Sequence, residues 1–170
     1  GMAFDKGTAE AMEEGMVPLS MKEGNRYLEV ISRSKLRCIS MEAEYNDRGD
    51  YDLHWSMLKR VDQVYAAYKS DSGKYDYTDM IELFVRQGTG PVLEVLIVDE
   101  AQDLTPLQWK QVAILKERAS RVYYAGDDDQ CIHRWNGVNL HSFMNACDNK
   151  TVLNKSYRVP SGVYKLANQL

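Results

Sequence analysis

One hundred and seventy residues and 19.5 kDa suit one domain, or one with a small appendage. A composition of 44% hydrophobic and 27% charged residues excludes the disordered and fibrous classes. The longest apolar run, Val92 to Val98 with Glu94 inside it, is far below the ~20 residues of a membrane span. No signal segment opens the sequence, so no membrane partner is expected. The formal charge of −4 and the pI of about 5.4 argue, in bulk, against nucleic acid as a partner. The charge is unevenly placed, however. Residues 1–114 carry 13 basic and 20 acidic side chains, a net of −7, whereas residues 115–170 carry 8 and 5, a net of +3. Cys38, Cys131 and Cys147 are odd in number, widely spaced and form no CxxC pair. That pattern fits free thiols in a reducing cytoplasm better than a zinc site or a disulfide framework.

In chain order, Gly1 precedes Met2 as a tag-cleavage scar would and is set aside. Residues 5–15 and 26–44 are rich in helix formers with a ragged apolar period, and Asn46-Asp47-Arg48-Gly49-Asp50 reads as a turn. Trp55, Leu58, Val61, Tyr65 and Tyr68 fall at helical spacing and predict an amphipathic helix over 53–69, broken at Asp71-Ser72-Gly73. Tyr77, Met80, Ile81 and Phe84 predict a second helix, stopped near Gly88-Thr89-Gly90-Pro91. The near-continuous apolar run 92–98 then reads as a strand buried on both faces of a parallel sheet.

Thr105-Pro106-Leu107-Gln108 has a capping threonine, a proline at the first helical position and a glutamine that closes a capping box. Trp109, Val112 and Ala113 should give that helix its buried side. Arg121 to Ala125 predicts a strand, 138–146 a helix, Thr151 to Leu153 a strand, and a terminal helix starts near Pro160. The order β-α-β-α-β-α from residue 92 predicts an α/β fold with a parallel sheet and helical crossovers, preceded by a mainly helical segment. The apolar face Val163, Leu166, Ala167, Leu170 is still running at the last residue, as in a piece of a longer chain.

Ligands of open α/β sheets collect at the C-terminal ends of strands. Two strands here end in carboxylates: Asp99-Glu100-Ala101-Gln102-Asp103 and Gly126-Asp127-Asp128-Asp129-Gln130. An aspartate directly after a strand is placed to hold Mg²⁺, and a neighbouring glutamate to activate a water, as phosphoryl transfer requires. Downstream, His133-Arg134-Trp135 offers stacking faces and a cation, suited to unpaired bases and phosphate. Lys155-Ser156-Tyr157-Arg158 adds an arginine between a strand and a helix. Taken singly, each feature has a plain structural counterpart. The acids would be solvated turn residues, Trp135 a core anchor of its loop, and Arg158 a surface ion pair.

Taken in order, these segments resemble a known family. Val95 to Asp103 is similar to the Walker B segment of UvrD/Rep-type superfamily 1 DNA helicases, Ala125 to Gly137 to their motif III, and Ser156-Tyr157-Arg158 to their motif IV. Asp76 to Ile81 resembles the Asp-Phe-x-x-Leu-Leu segment that precedes Walker B. The likeness is carried from about residue 75 onward.

The resemblance implies that residues 76–170 are the later half of the first RecA-like (P-loop NTPase) domain and that 1–75 are helical-insertion material. It implies ATP and Mg²⁺ as cofactors, with single-stranded DNA and the remaining helicase domains as partners. Asp99 would hold the metal, Glu100 would activate water, and Gln102 and Gln130 would sense the γ-phosphate, with Asp127 beside the nucleotide. Trp135 and His133 would stack on bases beside Arg134, and Arg158 would act as an arginine finger. Departures are clear too. The sequence holds no G-x-x-x-x-G-K-[ST], the only Gly-Lys pair being Gly73-Lys74; Cys131 and His133 stand where serine and tyrosine are usual. The isolated chain is therefore expected to be inactive as part of an ATP-dependent helicase. The alternatives are a non-hydrolysing module for single strands or a partner protein, and a metal-dependent nuclease built on the two acidic clusters.

Overall fold

The computed structural model describes residues 23–49, 53–131, 138, 140–153 and 159–167. The predicted helix at 5–15 lies outside them. The first described part is helical: α1 (Glu23–Leu36), α2 (Met41–Arg48), α3 (Trp55–Ser72) and α4 (Tyr77–Gln87). The ragged 26–44 segment is thus two helices, separated at a bend where Cys38 takes φ +56°. Ser40 caps α2 by accepting a hydrogen bond from the Ala43 amide. The expected turn at 46–50 is shifted. Asn46-Asp47-Arg48 complete the last turn of α2, and Gly49, at φ +58°, ends it in the left-handed conformation that only glycine adopts cheaply.

α1 packs on α2, α3, α4 and the later α5. Tyr27, Val30, Ile31, Leu53, Leu58 and Val61 form its core, with Met41, Tyr45 and Trp55 against them. The predicted α3 face is buried at Leu58 and Val61 but exposed at Tyr68. On α4, Tyr77 and Met80 are exposed and Thr78 is the buried position. The Thr78 hydroxyl lies 3.0 Å from that of Ser32 on α1, while Ile81 and Phe84 of the predicted face are half-buried.

The second part is α/β: β1 (Leu93–Val98), α5 (Pro106–Lys116), β2 (Ala119–Tyr124), then the short α6 (Leu140–Met144) and α7 (Ser161–Ala167). β1 and β2 are parallel, with Leu93 opposite Ala119 and Val98 opposite Tyr124. Thr105 and Gln108 form the expected capping box, with Pro106 in the first turn. The buried side of α5 is Leu107 and Val112; Ala113 is exposed. Val98, Ala101 and Val112 make a second core, with Leu96, Leu104, Trp109, Tyr124 and Phe143 against it.

Two expectations are corrected. β1 is not buried on both faces: Val98 is buried, but Val95 is 38% and Ile97 69% exposed. The residue paired with Ile97 on β2, Tyr123, is 54% exposed as well, and among the described residues the sheet has two strands. Thr151 to Leu153 is extended but joins no ladder, and Val152 and Leu153 stand exposed. The described α/β order is therefore β-α-β followed by two helices. No helix among the described residues is long and apolar enough to cross a membrane.

Candidate functional site

Both acidic loops leave the C-terminal ends of the paired strands, so the parallel register carries them to the same edge of the sheet. The Ala125 amide donates to the Val98 carbonyl at 2.8 Å, and the Ala101 amide to the Ala125 carbonyl at 2.9 Å. These bonds extend the ladder into the loops. Asp99 follows β1 directly and is exposed; its Oδ1 accepts from the Glu100 amide at 3.0 Å. Glu100 has φ +48° and ψ +40°, left-handed for a residue with a full side chain. Such a conformation is costly for L-residues and persists only where the surroundings enforce it.

The enforcing contacts converge on Gln102, which is 1% exposed. Its Nε2 donates to Glu100 Oε2 at 2.7 Å, and its Oε1 accepts from the Asp127 amide at 3.1 Å. Asp127 in turn accepts from its own loop: from the Asp129 amide at 3.1 Å and from Gln130 Nε2 at 2.5 Å. Glu100, Gln102, Asp127 and Gln130 thus form one hydrogen-bonded chain across the two loops, with Asp99 at its end. Carboxylate oxygens of Asp127, Asp128 and Asp129 all lie within 4.8 Å of one another. Trp135, His133, Arg134 and Arg158 lie outside the described residues.

Three further residues complete the site, two of them, Gly126 and Cys131, within the Ala125 to Gly137 segment. Cys131 is buried, and its thiol donates to the Gln102 carbonyl at 3.5 Å. Gly126 allows the loops to close: a Cβ there would press on Gln102 Oε1 and lie 2.9 Å from Phe143 Cζ. A glycine between a strand end and an acid run was legible as a point of close approach; Phe143, on the five-residue α6, was not.

A groove of about 900 Å³ lies elsewhere, between α1, α3, α4 and α5, and none of the acidic-loop residues lines it. Its buried-side cations are already paired. Lys35 donates to Asp79 at 2.9 Å and Glu82 at 2.8 Å, and Lys69 to Asp76 at 2.9 Å and Asp79 at 2.5 Å. Burial works against both charges, yet these bonds raise Lys35 and hold the Asp79 carboxyl at about 2. Asp76 also caps α4 in a reciprocal box with Asp79. The Asp76 segment singled out in the sequence therefore ties α4 to α1 and α3.

The profile of the UvrD/REP helicase N-terminal domain matches residues 4–151. The likeness thus reaches well upstream of residue 75, and Arg158 falls beyond it. The chain is 30% identical over 125 residues to ATP-dependent DNA helicase Rep of Buchnera aphidicola, covering 65% of this chain and 19% of that protein. It is 28% identical over 140 residues to DNA helicase II of Haemophilus influenzae, covering 75% and 19%. It is 33% identical over 129 residues to ATP-dependent DNA helicase PcrA of Bacillus subtilis, covering 65% and 17%. The matched region thus spans about a fifth of each relative. With the match running through both acidic loops, this chain belongs to the UvrD/REP helicase N-terminal domain family.

Proposed function

We propose that the chain is the later half of the first RecA-like lobe of an ATP-dependent DNA helicase, with residues 1–75 as helical-insertion material. In this reading the parent enzyme couples ATP hydrolysis to movement along single-stranded DNA in the cytoplasm. The observation that carries the reading is the hydrogen-bonded chain Glu100–Gln102–Asp127–Gln130 across two adjacent strand ends, in a chain of this family. The donor set suits Mg²⁺, a hard cation that takes carboxylate oxygen. Asp99 is exposed at the strand end and would hold the ion, which would neutralise charge on the phosphates. Glu100 would accept a proton from the attacking water, Gln130 would report on the γ-phosphate, and Arg158 would meet the charge developing on it. Trp135, His133 and Arg134 would contact the DNA strand.

The bare Val95–Ile97–Tyr123 face supports the same reading, because a strand this apolar is built to be covered. The covering layer would belong to the rest of the lobe, together with the G-x-x-x-x-G-K-[ST] loop. The test is steady-state ATP hydrolysis with and without single-stranded DNA. The 170-residue chain alone should show no DNA-stimulated rate. Supplied with a phosphate loop and second lobe from a relative, it should gain one, and Glu100→Gln should lower that rate by about 10²-fold or more. Robust DNA-stimulated hydrolysis by the chain alone would overturn the incomplete-lobe reading. A Glu100→Gln rate equal to wild type in the completed enzyme would overturn the role of Glu100.

A further inference from the structure

Gln102 is the most buried polar side chain of the acidic loops, and both ends of its amide are engaged within the protein. The orientation of that amide is forced. A carboxylate at Glu100 only accepts and the Asp127 N–H only donates, so Nε2 must face the first and Oε1 the second. The Gln102 backbone is tied in as well, by the Cys131 thiol at its carbonyl. A Cβ at Gly126 would collide with the amide oxygen, so the loops close on it only because that residue is glycine. A side chain held in this way does not reach a bound phosphate.

We infer that Gln102 is a positioning residue, a strut that fixes the Glu100 carboxylate to the second acidic loop, rather than a nucleotide ligand. Its consequence for catalysis rests on the reading of Glu100 as the group that activates water. The strut itself does not, since it is defined by contacts within the chain. Its two halves act separately. The acceptor half sets the height of Asp127, and the donor half sets the direction of Glu100. Glu100 is left-handed, a conformation that sets its side chain apart from the alternation of the strand before it. The amide two residues on holds that side chain. Any shift of the second loop is passed to Glu100 through one rigid side chain, so the two acidic loops move as a unit.

The test uses the labelled 170-residue chain in solution and needs no nucleotide, so its outcome is independent of whether the helicase reading stands. Two NMR signatures are read: hydrogen exchange at the Asp127 amide, and the separate shifts of the two Glu100 Hγ protons, which average together once the side chain rotates. In Gln102→Met, similar in length but without the amide, Asp127 exchange should rise about five- to tenfold and the Glu100 signals should merge. In Gln102→Glu the acceptor remains and the donor is lost. Asp127 should stay protected while the Glu100 signals still merge. Gly126→Ala, which displaces the strut without removing it, should reproduce the Gln102→Met pattern and replaces it if that variant does not fold. Unchanged Glu100 signals in both Gln102→Met and Gly126→Ala would overturn the inference. So would loss of Asp127 protection in Gln102→Glu, which would mark Gln102 as packing alone.

Discussion

The two parts of this molecule satisfy their buried groups in opposite ways. The helical part is closed on itself: six buried residues make its core, and its fully buried carboxylate, Glu44, is ion-paired at both oxygens and accepts a hydrogen bond at one, from Arg37. Glu44 is 0% exposed, yet Arg33 Nε lies 3.0 Å from one oxygen and Arg37 Nη1 2.6 Å from the other. The α/β part has a core of three buried residues, of which Ala101 alone is fully so, beneath a sheet on which Ile97 and Tyr123 stand exposed. Of the acids at its strand ends, Asp99, Glu100, Asp128 and Asp129 are exposed and Asp103 and Asp127 half-buried. The contrast teaches that stability and chemistry are separated here. Charge in the helical part holds helices together, whereas charge at the strand ends is kept accessible and shaped by a single buried amide.

The largest effects should come from the helical core. Leu58→Ala removes a 0%-exposed side chain between α1 and α3 and should cost about 3 kcal/mol in chemical denaturation. Val98→Ala, in the thinner α/β core, should cost only about 1–2 kcal/mol. Equal losses would mean that the two cores are not graded as the burial suggests.

Glu44→Ala removes the buried anion between Arg33 and Arg37, leaving them the outer partners Glu29 and Asp47, and should also cost about 3 kcal/mol. Asp127→Ala removes only exposed loop hydrogen bonds, and a loss of no more than about 1 kcal/mol is expected. The same denaturation series compares them; a larger loss for Asp127 would reverse the division between structural and accessible charge.

Acid sharpens the comparison further. The Asp79 carboxyl is held at about 2, below its ordinary 3.8, because Lys35 and Lys69 donate to it. A depressed carboxyl contributes stability that is present above about pH 4 and is lost as pH falls toward 2. The melting temperature should therefore drop through that window, and Asp79→Asn should flatten the drop. A profile identical in the variant would show that the helical junction does not depend on this group.

The smallest effect belongs to the bare face. Ile97→Lys, at a position 69% exposed, should change the stability of the chain by less than about 0.5 kcal/mol. A loss of several times that would mean that Ile97 is covered within this chain.

Much of this was legible in the residues. The capping box at Thr105, the α3 and α4 helices, the β1–α5–β2 order and the two acid-bearing strand ends follow from local chemistry. Cap geometry and side-chain period act over a few residues and are therefore written in them. The burial of α4 was only partly legible: Ile81 and Phe84 are half-buried as their spacing predicts, but the buried position is Thr78, whose partner Ser32 lies 46 residues away. The exposure of Val95 and Ile97 was not legible, since an apolar strand reads the same whether or not its second layer lies within the same chain.

The sequence by itself determined most of the elements (though not the state of Thr151 to Leu153), the placing of carboxylates at strand ends and the family likeness, all of which depend on neighbours along the chain. Only the tertiary structure decided that Gln102, 25 residues before Asp127, closes the gap between the two loops, and that Gly126 must lack a side chain to let it. Parallel pairing of β1 with β2 brings those residues together, and hydrogen bonds between them exist only once that register is set.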